Sequence, residues 1–290
     1  MNEGNHLHNK LPDPKNIKAQ IILDLDFYTE GPVFGEDGFL YYTDLAGEGI
    51  YRYQDGEPKL WAKGKRPNGQ AIMANGDHLL CDSLTGRIVR YDHKGKLLGE
   101  VSPDRIDGVK VTCPNDIAVH TDQGFFFTDS IRDNGHVYFV AWNGDAKVVA
   151  TGIDFPNGIV YNIENHLLYI AESYKNRILK INLNLPSSSA DYLTVMATLP
   201  YNDTNKETGN LPDGLAMDKD GRLWVAHYGM QAIQVLSEDG VLLASYDSGI
   251  PLTSNLCFGG GDLWVTGGFG EPGPGRLSRI NIGIEGMPLN

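Results

Sequence analysis

The segment PDGLAMDKDGRLWVAH, residues 212–227, sets the pattern of the whole chain. It holds a polar Pro-Asp-Gly signature, a short apolar run, an Asp-Gly turn and a second run rich in aromatic and aliphatic residues. Two such runs joined by a tight turn are typical of a β-hairpin. Five more copies of this hairpin occur, and their second strands are predicted at residues 39–44, 78–82, 125–129, 167–172 and 262–266.

Each hairpin is followed by a loop and an alternating strand, and most copies end in a fourth strand, such as residues 59–61. Repeats of roughly 39 to 56 residues with this content are typical of four-stranded propeller blades. We therefore predict an all-β fold, a six-bladed β-propeller with four-stranded blades. The last copy lacks a clear fourth strand, so the orphan strand at residues 21–25 is predicted to complete it and close the ring. Residues 1–20 are predicted to be a flexible tail, and residues 21–290 one propeller domain.

Composition excludes several classes of partner. The 290 residues carry 24 basic and 37 acidic side chains, a net charge of −13, which disfavours nucleic acid and anionic membranes. The longest apolar run, residues 137–142, is too short to span a bilayer. Three widely spaced cysteines and a polar N-terminus favour a reducing compartment, so a cytoplasmic location is expected. The oligomeric state is not predicted.

A polar signature residue stands just before the first strand of each copy. The six signature residues are Glu30, Asn68, Asn115, Asn157, Asp213 and Asn255. Because the first strand of a propeller blade usually lines the central channel, we expect these side chains to converge at one mouth of it. Their oxygens suit a hard divalent cation. Pro-Asn-Gly and Pro-Asp-Gly also form turns, so a purely structural role is the alternative that spacing alone leaves open.

A second set of polar residues follows the signature residues by 14 or 15 positions, namely Asp44, Asp82, Asp129, Glu172 and His227. In a hairpin of this length, both members of a pair fall at the same end. The second set is therefore predicted to surround the first. Asp44 and Asp82 are interpreted as turn residues that stabilise their blades.

Several motifs taken together resemble the regucalcin (SMP-30), gluconolactonase and luciferin-regenerating enzyme family. They are EGPVF at residues 30–34, PND at 114–116, FTD at 127–129, PNG at 156–158 and PDGLAMD at 212–218. The resemblance runs from about residue 21 to residue 280. It implies a six-bladed propeller with one catalytic divalent cation at the channel mouth and hydrolysis of a lactone.

The same resemblance implies roles for individual residues. Glu30, Asn157 and Asp213 correspond to side-chain metal ligands, and Asn115 to a further ligand or a substrate contact. Asp213 also corresponds to the catalytic acid or base. This chain departs from regucalcin-type members at Cys113, where they have an arginine.

The predicted activity is metal-assisted hydrolysis of a small sugar-type lactone. Ca²⁺ is the expected cation, with Mg²⁺, Mn²⁺ or Zn²⁺ as alternatives; it would polarise the carbonyl while Asp213 activates water. Asn68, Asn115, Asp129 and His227 are predicted to contact substrate. The alternatives are phosphotriesterase or other esterase activity at the same metal site, and a non-catalytic propeller that binds calcium or a partner.

Overall fold

The strands of the protein form six four-stranded antiparallel sheets and one small two-stranded ribbon. The structure is a computed structural model that describes residues 10–120, 122–205 and 208–288. Within those ranges the helical segments are two short 3₁₀ turns, Pro14–Asn16 and Ser173–Lys175, and none is long and apolar enough to cross a membrane. The all-β class predicted from the sequence is confirmed.

The sheets follow one another along the chain as six blades. Within each blade the strands are given in order from the central channel outwards. Blade 1 consists of β2 (Thr29–Phe34), β3 (Leu40–Asp44), β4 (Gly49–Gln54) and β5 (Glu57–Lys63). Blade 2 consists of β6 (Pro67–Ile72), β7 (His78–Asp82), β8 (Arg87–Tyr91) and β9 (Leu97–Glu100). A ribbon of β10 (Arg105–Ile106) and β11 (Val109–Lys110) then leads to blade 3, which consists of β12 (Pro114–His120), β13 (Gly124–Asp129), β14 (Gly135–Ala141) and β15 (Ala146–Ile153).

The second half of the ring repeats the plan. Blade 4 consists of β16 (Pro156–Asn162), β17 (Leu167–Glu172), β18 (Arg177–Asn182) and β19 (Leu193–Thr198). Blade 5 consists of β20 (Leu211–Met217), β21 (Leu223–Tyr228), β22 (Ala232–Leu236) and β23 (Leu242–Asp247). Blade 6 consists of β24 (Leu252–Gly259), β25 (Asp262–Gly268), β26 (Gly275–Ile280) and β1 (Gln20–Leu25).

The N-terminal strand closes the ring. β1 pairs antiparallel with β26, and Ile21 lies opposite Ser278. The first strand of each blade contacts the first strands of its two neighbours, and β24 of blade 6 contacts β2 of blade 1. The predicted closure of the last blade by the N-terminal strand is therefore confirmed.

The hydrophobic core lies between neighbouring blades. One cluster joins Phe126 and Val137 of blade 3 to Leu168 and Ile170 of blade 4. Another joins Trp224 of blade 5 to residues of blade 6. The alternating strands bury one face against each neighbour, so each blade depends on the next for its core.

Two segments outside the blades pack against blades 5 and 6. Leu11, Ile17 and Ala19 contact the core shared by those blades, and the Tyr246 hydroxyl donates a hydrogen bond of 2.8 Å to the Pro12 carbonyl. The part of the predicted flexible tail at residues 1–9 lies outside the described residues. At the other end, Met287 N donates to Met217 O at 2.8 Å and holds the C-terminal segment, residues 284–288, against blade 5.

Candidate active site

A cavity of about 360 Å³ lies at one end of the central channel. The structure brings five of the six signature residues into its lining, one from each of blades 1 to 5: Glu30, Asn68, Asn115, Asn157 and Asp213. Asn255 of blade 6 lies on the far side of this ring, where its amide nitrogen is 3.4 Å from Glu30 Oε2. Five oxygen-bearing side chains therefore face one space.

The sequence predicted that the signature residues lie just before the first strands. In the structure they lie within those strands. Each first strand has a register shift at the signature, as between Pro156 and Ile159 in β16 and between Pro212 and Leu215 in β20. A β-bulge of this kind re-aims side chains next to functional sites. The Pro-Asn-Gly and Pro-Asp-Gly segments thus bend a strand and do not form the isolated turns of the structural alternative.

The glycine after the signature residue allows neighbouring blades to approach closely. A Cβ at Gly158 would clash with the Asp213 carbonyl, and a Cβ at Gly214 would clash with the Asn255 side chain. Neighbouring first strands therefore approach each other closely at these glycines, which brings the adjacent signature residues together.

In blades 3, 4 and 5 a serine hydroxyl from the preceding blade fixes the strand just before the signature residue. Ser83 donates to Pro114 O at 2.7 Å, Ser130 to Pro156 O at 2.6 Å, and Ser173 to Pro212 O at 2.7 Å. Each acceptor carbonyl belongs to the residue before Asn115, Asn157 or Asp213. Ser130 and its two counterparts therefore position the strands that carry these signature residues.

Replacing Ser173 with alanine is expected to lower the free energy of unfolding by about 1 kcal/mol, because the buried Pro212 carbonyl loses its donor. The exposed Ser188 provides the control, and Ser188→Ala should leave stability unchanged. Denaturant titration of both variants checks the prediction. Equal midpoints for Ser173→Ala and the wild type would contradict it.

The surroundings of the two signature carboxylates disfavour their charged forms. Burial, assisted by the nearby Asp116 and Glu271 carboxylates, raises the pKa of Glu30 to about 8 although the hydrogen bond from Gly31 N lowers it. Burial also raises the pKa of Asp213 well above its usual range, and the Glu30 carboxylate adds to the rise. A bound cation would relieve both the repulsion and the loss of hydration.

The donor set fits a hard divalent cation. Asn68 Oδ1 is buried and has no hydrogen-bond partner among the residues that the structure describes. The Asn157 side-chain amide donates a hydrogen bond to Asp213. Its amide oxygen is then available as an uncharged metal ligand. Within residues 10–120, 122–205 and 208–288, no three His, Cys, Asp or Glu side chains form a cluster suited to a metal. Amide oxygens would therefore have to complete the ligand set.

The second polar set lies at the predicted end of the hairpins, but its described side chains bond to the protein. Pro114 pairs with Asp129 and Pro212 with His227, which fits the predicted spacing. Asp129 is fully buried and accepts from Thr112 N and Cys113 N. His227, also fully buried, bonds through Nε2 to Asn176 Oδ1 at 3.0 Å.

The remaining members of that set behave similarly. Asp44 accepts from Gly47 N, and Asp82 accepts from Lys65 N and Thr85 N. Glu172 forms ion pairs with Lys175 and Arg177. These contacts hold the loops around the cavity, and the lining of the cavity contains none of the five residues of the second set.

Other lining residues were not predicted from the sequence. Glu271 is an exposed carboxylate on the loop between β25 and β26, and Tyr28, Tyr174 and Tyr228 add aromatic walls. Tyr28 N donates to Pro272 O at 2.8 Å and anchors this loop. The available signal was topological, because every loop from a second to a third strand lies at the same end as the signature residues.

Cys113 and Arg66 both line the cavity. Burial raises the pKa of the Cys113 thiol, so this residue is a neutral group where regucalcin-type members have a cation. Arg66 is exposed at the mouth and is the one cationic side chain among the described lining residues. The cavity therefore presents more acidic than basic groups to a ligand.

Comparison with known proteins agrees with this architecture. The family model described as the SMP-30/gluconolactonase/LRE-like region matches residues 28–268, which is most of the chain and includes all six signature residues. The chain belongs to this family. The family resemblance inferred from the sequence motifs is therefore confirmed.

The individual relatives share between 23% and 30% of their residues with this chain. A lactonase drp35 of Staphylococcus aureus is 30% identical over 276 residues, covering 82% of this chain and 80% of that protein. The pentonolactonase XacC of Haloferax volcanii is 24% identical over 282 residues, covering 89% and 92%. A solved gluconolactonase structure from Xanthomonas campestris superposes with a TM-score of 0.77 at 23% identity, covering 92% and 90%. The last likeness supports the fold.

Proposed function

We propose that this protein is a divalent-cation-dependent lactonase that hydrolyses a small lactone. The observation that carries the proposal is the convergence of Glu30 and Asp213, two buried carboxylates, with three amide side chains around one solvent-accessible cavity. Membership of a family whose compared relatives are named lactonase, pentonolactonase and gluconolactonase supports the same reaction class.

Glu30, Asn157 and Asp213 would hold the cation, with Asn115 as a further ligand or a substrate contact. Such an ion would polarise the lactone carbonyl when bound. Ca²⁺ is the first choice because the donors are all oxygens and two of the ligands are uncharged amides; Mg²⁺, Mn²⁺ and Zn²⁺ remain to be compared.

Asp213 would act as the general base. Its carboxylate accepts a proton from water, whose oxygen forms a bond to the carbonyl carbon; the ring C–O bond then breaks, and the proton passes to the leaving oxygen. The amide hydrogen bond from Asn157 orients the carboxylate for this transfer.

The walls suggest how a substrate is recognised. We propose that Asn68 and Asn115, which line the cavity, contact substrate oxygens. We propose that Asp129 and His227 influence binding through the loops that they hold, because their polar atoms are bonded to Cys113 and Asn176. With a divalent cation bound, the formal charges of Glu30, Asp213, Glu271, Arg66 and the ion cancel, which suits a neutral lactone.

A panel of neutral and anionic lactones, assayed for acid release with and without a chelator, tests the proposal. We expect turnover of at least one neutral lactone, its loss on chelation and its recovery with Ca²⁺ or another of the four cations. Turnover of a phosphotriester but of no lactone would contradict the lactonase proposal and support phosphotriesterase activity at the same site. If neither class is turned over and a partner protein co-purifies, a non-catalytic propeller is the better description.

We also propose a cytoplasmic location. The three cysteines, Cys81, Cys113 and Cys257, all lie in the described part of the chain and form no disulfide. Fractionation of the native cells with a disulfide-trapping reagent would test the compartment.

A further inference from the structure

A second cavity, of about 410 Å³, lies at the opposite end of the central channel. The first strands of all six blades and the C-terminal segment, residues 284–288, line it. Most of its wall is apolar, and its larger side chains are Phe34, Val119, Tyr161, Met217 and Phe258. Phe34, Val119 and Phe258 are partly exposed, so the space communicates with solvent.

The polar side chains of this wall already have partners. Gln70 Nε2 donates to Gly31 O at 2.8 Å, and Gln70 Oε1 bonds to His78 Nδ1 at 3.0 Å. The Asp116 carboxylate accepts from Ile117 N at 2.9 Å and from Ile159 N at 3.3 Å. Ordered water needs two to four polar partners, so such a cavity is a poor host for water and a good one for an apolar molecule.

Asp116 separates the two cavities. Four blades have glycine after the signature residue, whereas blade 3 has Asp116 at that position. Its side chain lies so close to Gly69 of blade 2 that an added Cβ there would clash with it. The same side chain bonds to Ile159 N of blade 4 and to Asn255 of blade 6. A side chain with neighbours on three sides of the ring fills the axis, so a ligand in this second cavity would not reach Asp213.

We propose that this second cavity binds a compact, largely apolar small molecule that is neutral or cationic. The charged side chains among its described lining residues are Asp116 and Glu285, both acidic, and Lys219 pairs with Glu285 at the rim. An anionic ligand would therefore bring its charge towards Asp116 without a cation in the wall. The volume lies within the usual range for small-molecule sites, about 300 to 1,000 Å³.

Two fluorescent probes with one ring system test the proposal on the full chain. N-phenyl-1-naphthylamine is neutral and apolar, and 1-anilinonaphthalene-8-sulfonate adds an anionic group. We expect saturable binding of one neutral probe per chain and at least about tenfold weaker binding of the sulfonate. Absence of saturable binding of the neutral probe, or equal affinity for both probes, would overturn the proposal.

Substitutions then locate the bound probe. Ala71 and Ala216 lie on the first strands of opposite blades and are partly exposed to the cavity, so Ala71→Phe and Ala216→Phe should each weaken neutral-probe binding at least about tenfold. Ala216→Leu serves if a phenylalanine variant fails to fold, and a thermal melt verifies each variant. Leu98→Phe, on the exposed face of β9, is the matched control.

The active-site cavity needs its own control. Tyr174→Ala removes an aromatic wall of that cavity and should leave binding of the neutral probe unchanged. Loss of probe binding in Tyr174→Ala, or unchanged binding in all folded variants at Ala71 and Ala216, would place the probe elsewhere and refute the second site.

Discussion

Replacing Asp213 with asparagine is expected to lower kcat for lactone hydrolysis by about 100- to 10,000-fold, the usual contribution of a general base. The asparagine keeps the shape and one oxygen donor of Asp213, so affinity for Ca²⁺ should fall only in part. Steady-state kinetics with the best lactone of the panel, together with calorimetric titration of Ca²⁺, measures both effects.

The control for this experiment is Asp239→Asn, which neutralises an exposed aspartate in the same blade. It should leave kcat and Ca²⁺ affinity unchanged. An Asp213→Asn variant with unaltered kcat would remove Asp213 from the role of acid or base. Loss of both turnover and all Ca²⁺ binding would mean that Asp213 acts chiefly as a ligand.

Replacing Glu30 with glutamine is expected to abolish Ca²⁺-dependent activity and most of the rise in melting temperature that Ca²⁺ produces. Glu30 is buried and contributes one of the two signature carboxylates, so the glutamine leaves the cation with a single formal charge in its signature ligand set. Activity assays and thermal melts with and without Ca²⁺ measure the loss. Glu36→Gln, an exposed change in blade 1, is the control.

The pH dependence of stability provides a second measurement on Glu30. In the chelated protein, burial raises the folded-state pKa of Glu30 to about 8, so the folded state binds a proton more tightly than the unfolded chain. The contribution of Glu30 to stability is then greatest at low pH and falls as pH rises from about 5 through about 8. Glu30→Gln should flatten this fall, and Ca²⁺ should stabilise the wild type more at pH 8 than at pH 5. Identical pH profiles for the two proteins would contradict the environment assigned to Glu30.

The fold was predictable because its determinants are local. A turn such as Asp220-Gly221 between two apolar runs strongly favours a hairpin, and six ordered copies leave few architectures. Closure by β1 was predictable for a related reason, since a strand without a partner and a blade without a fourth strand satisfy each other. Edge pairing made this the favoured arrangement.

The candidate site was only partly predictable. Spacing from a strand boundary located Glu30 and Asp213 at one mouth, since equivalent positions of repeated blades lie at equivalent heights. Asn255 departs from that rule and lies beneath Glu30, because the register shift in β24 falls at a different point, between Thr253 and Asn255. A displacement of one residue in a bulged strand changes which space its side chain faces.

Contacts between distant segments determined the rest. Asp129 and His227 have the residue types of substrate ligands, but nearby backbone and Asn176 occupy their polar atoms. Glu271 has no motif of its own and reaches the candidate active-site cavity because Tyr28 anchors its loop. Such partners are separated by many residues, so no local pattern reveals them.

The sequence by itself determined the propeller, its six blades, the strand that closes it and the carboxylates and amides of the candidate active-site cavity. These features repeat, and repetition makes a weak local signal specific. The tertiary structure alone decided that Asp116 divides the central channel and that an apolar cavity lies below it. That division depends on how closely six separate strands approach one axis. Packing between the blades sets this distance, so no single segment of the sequence predicts it.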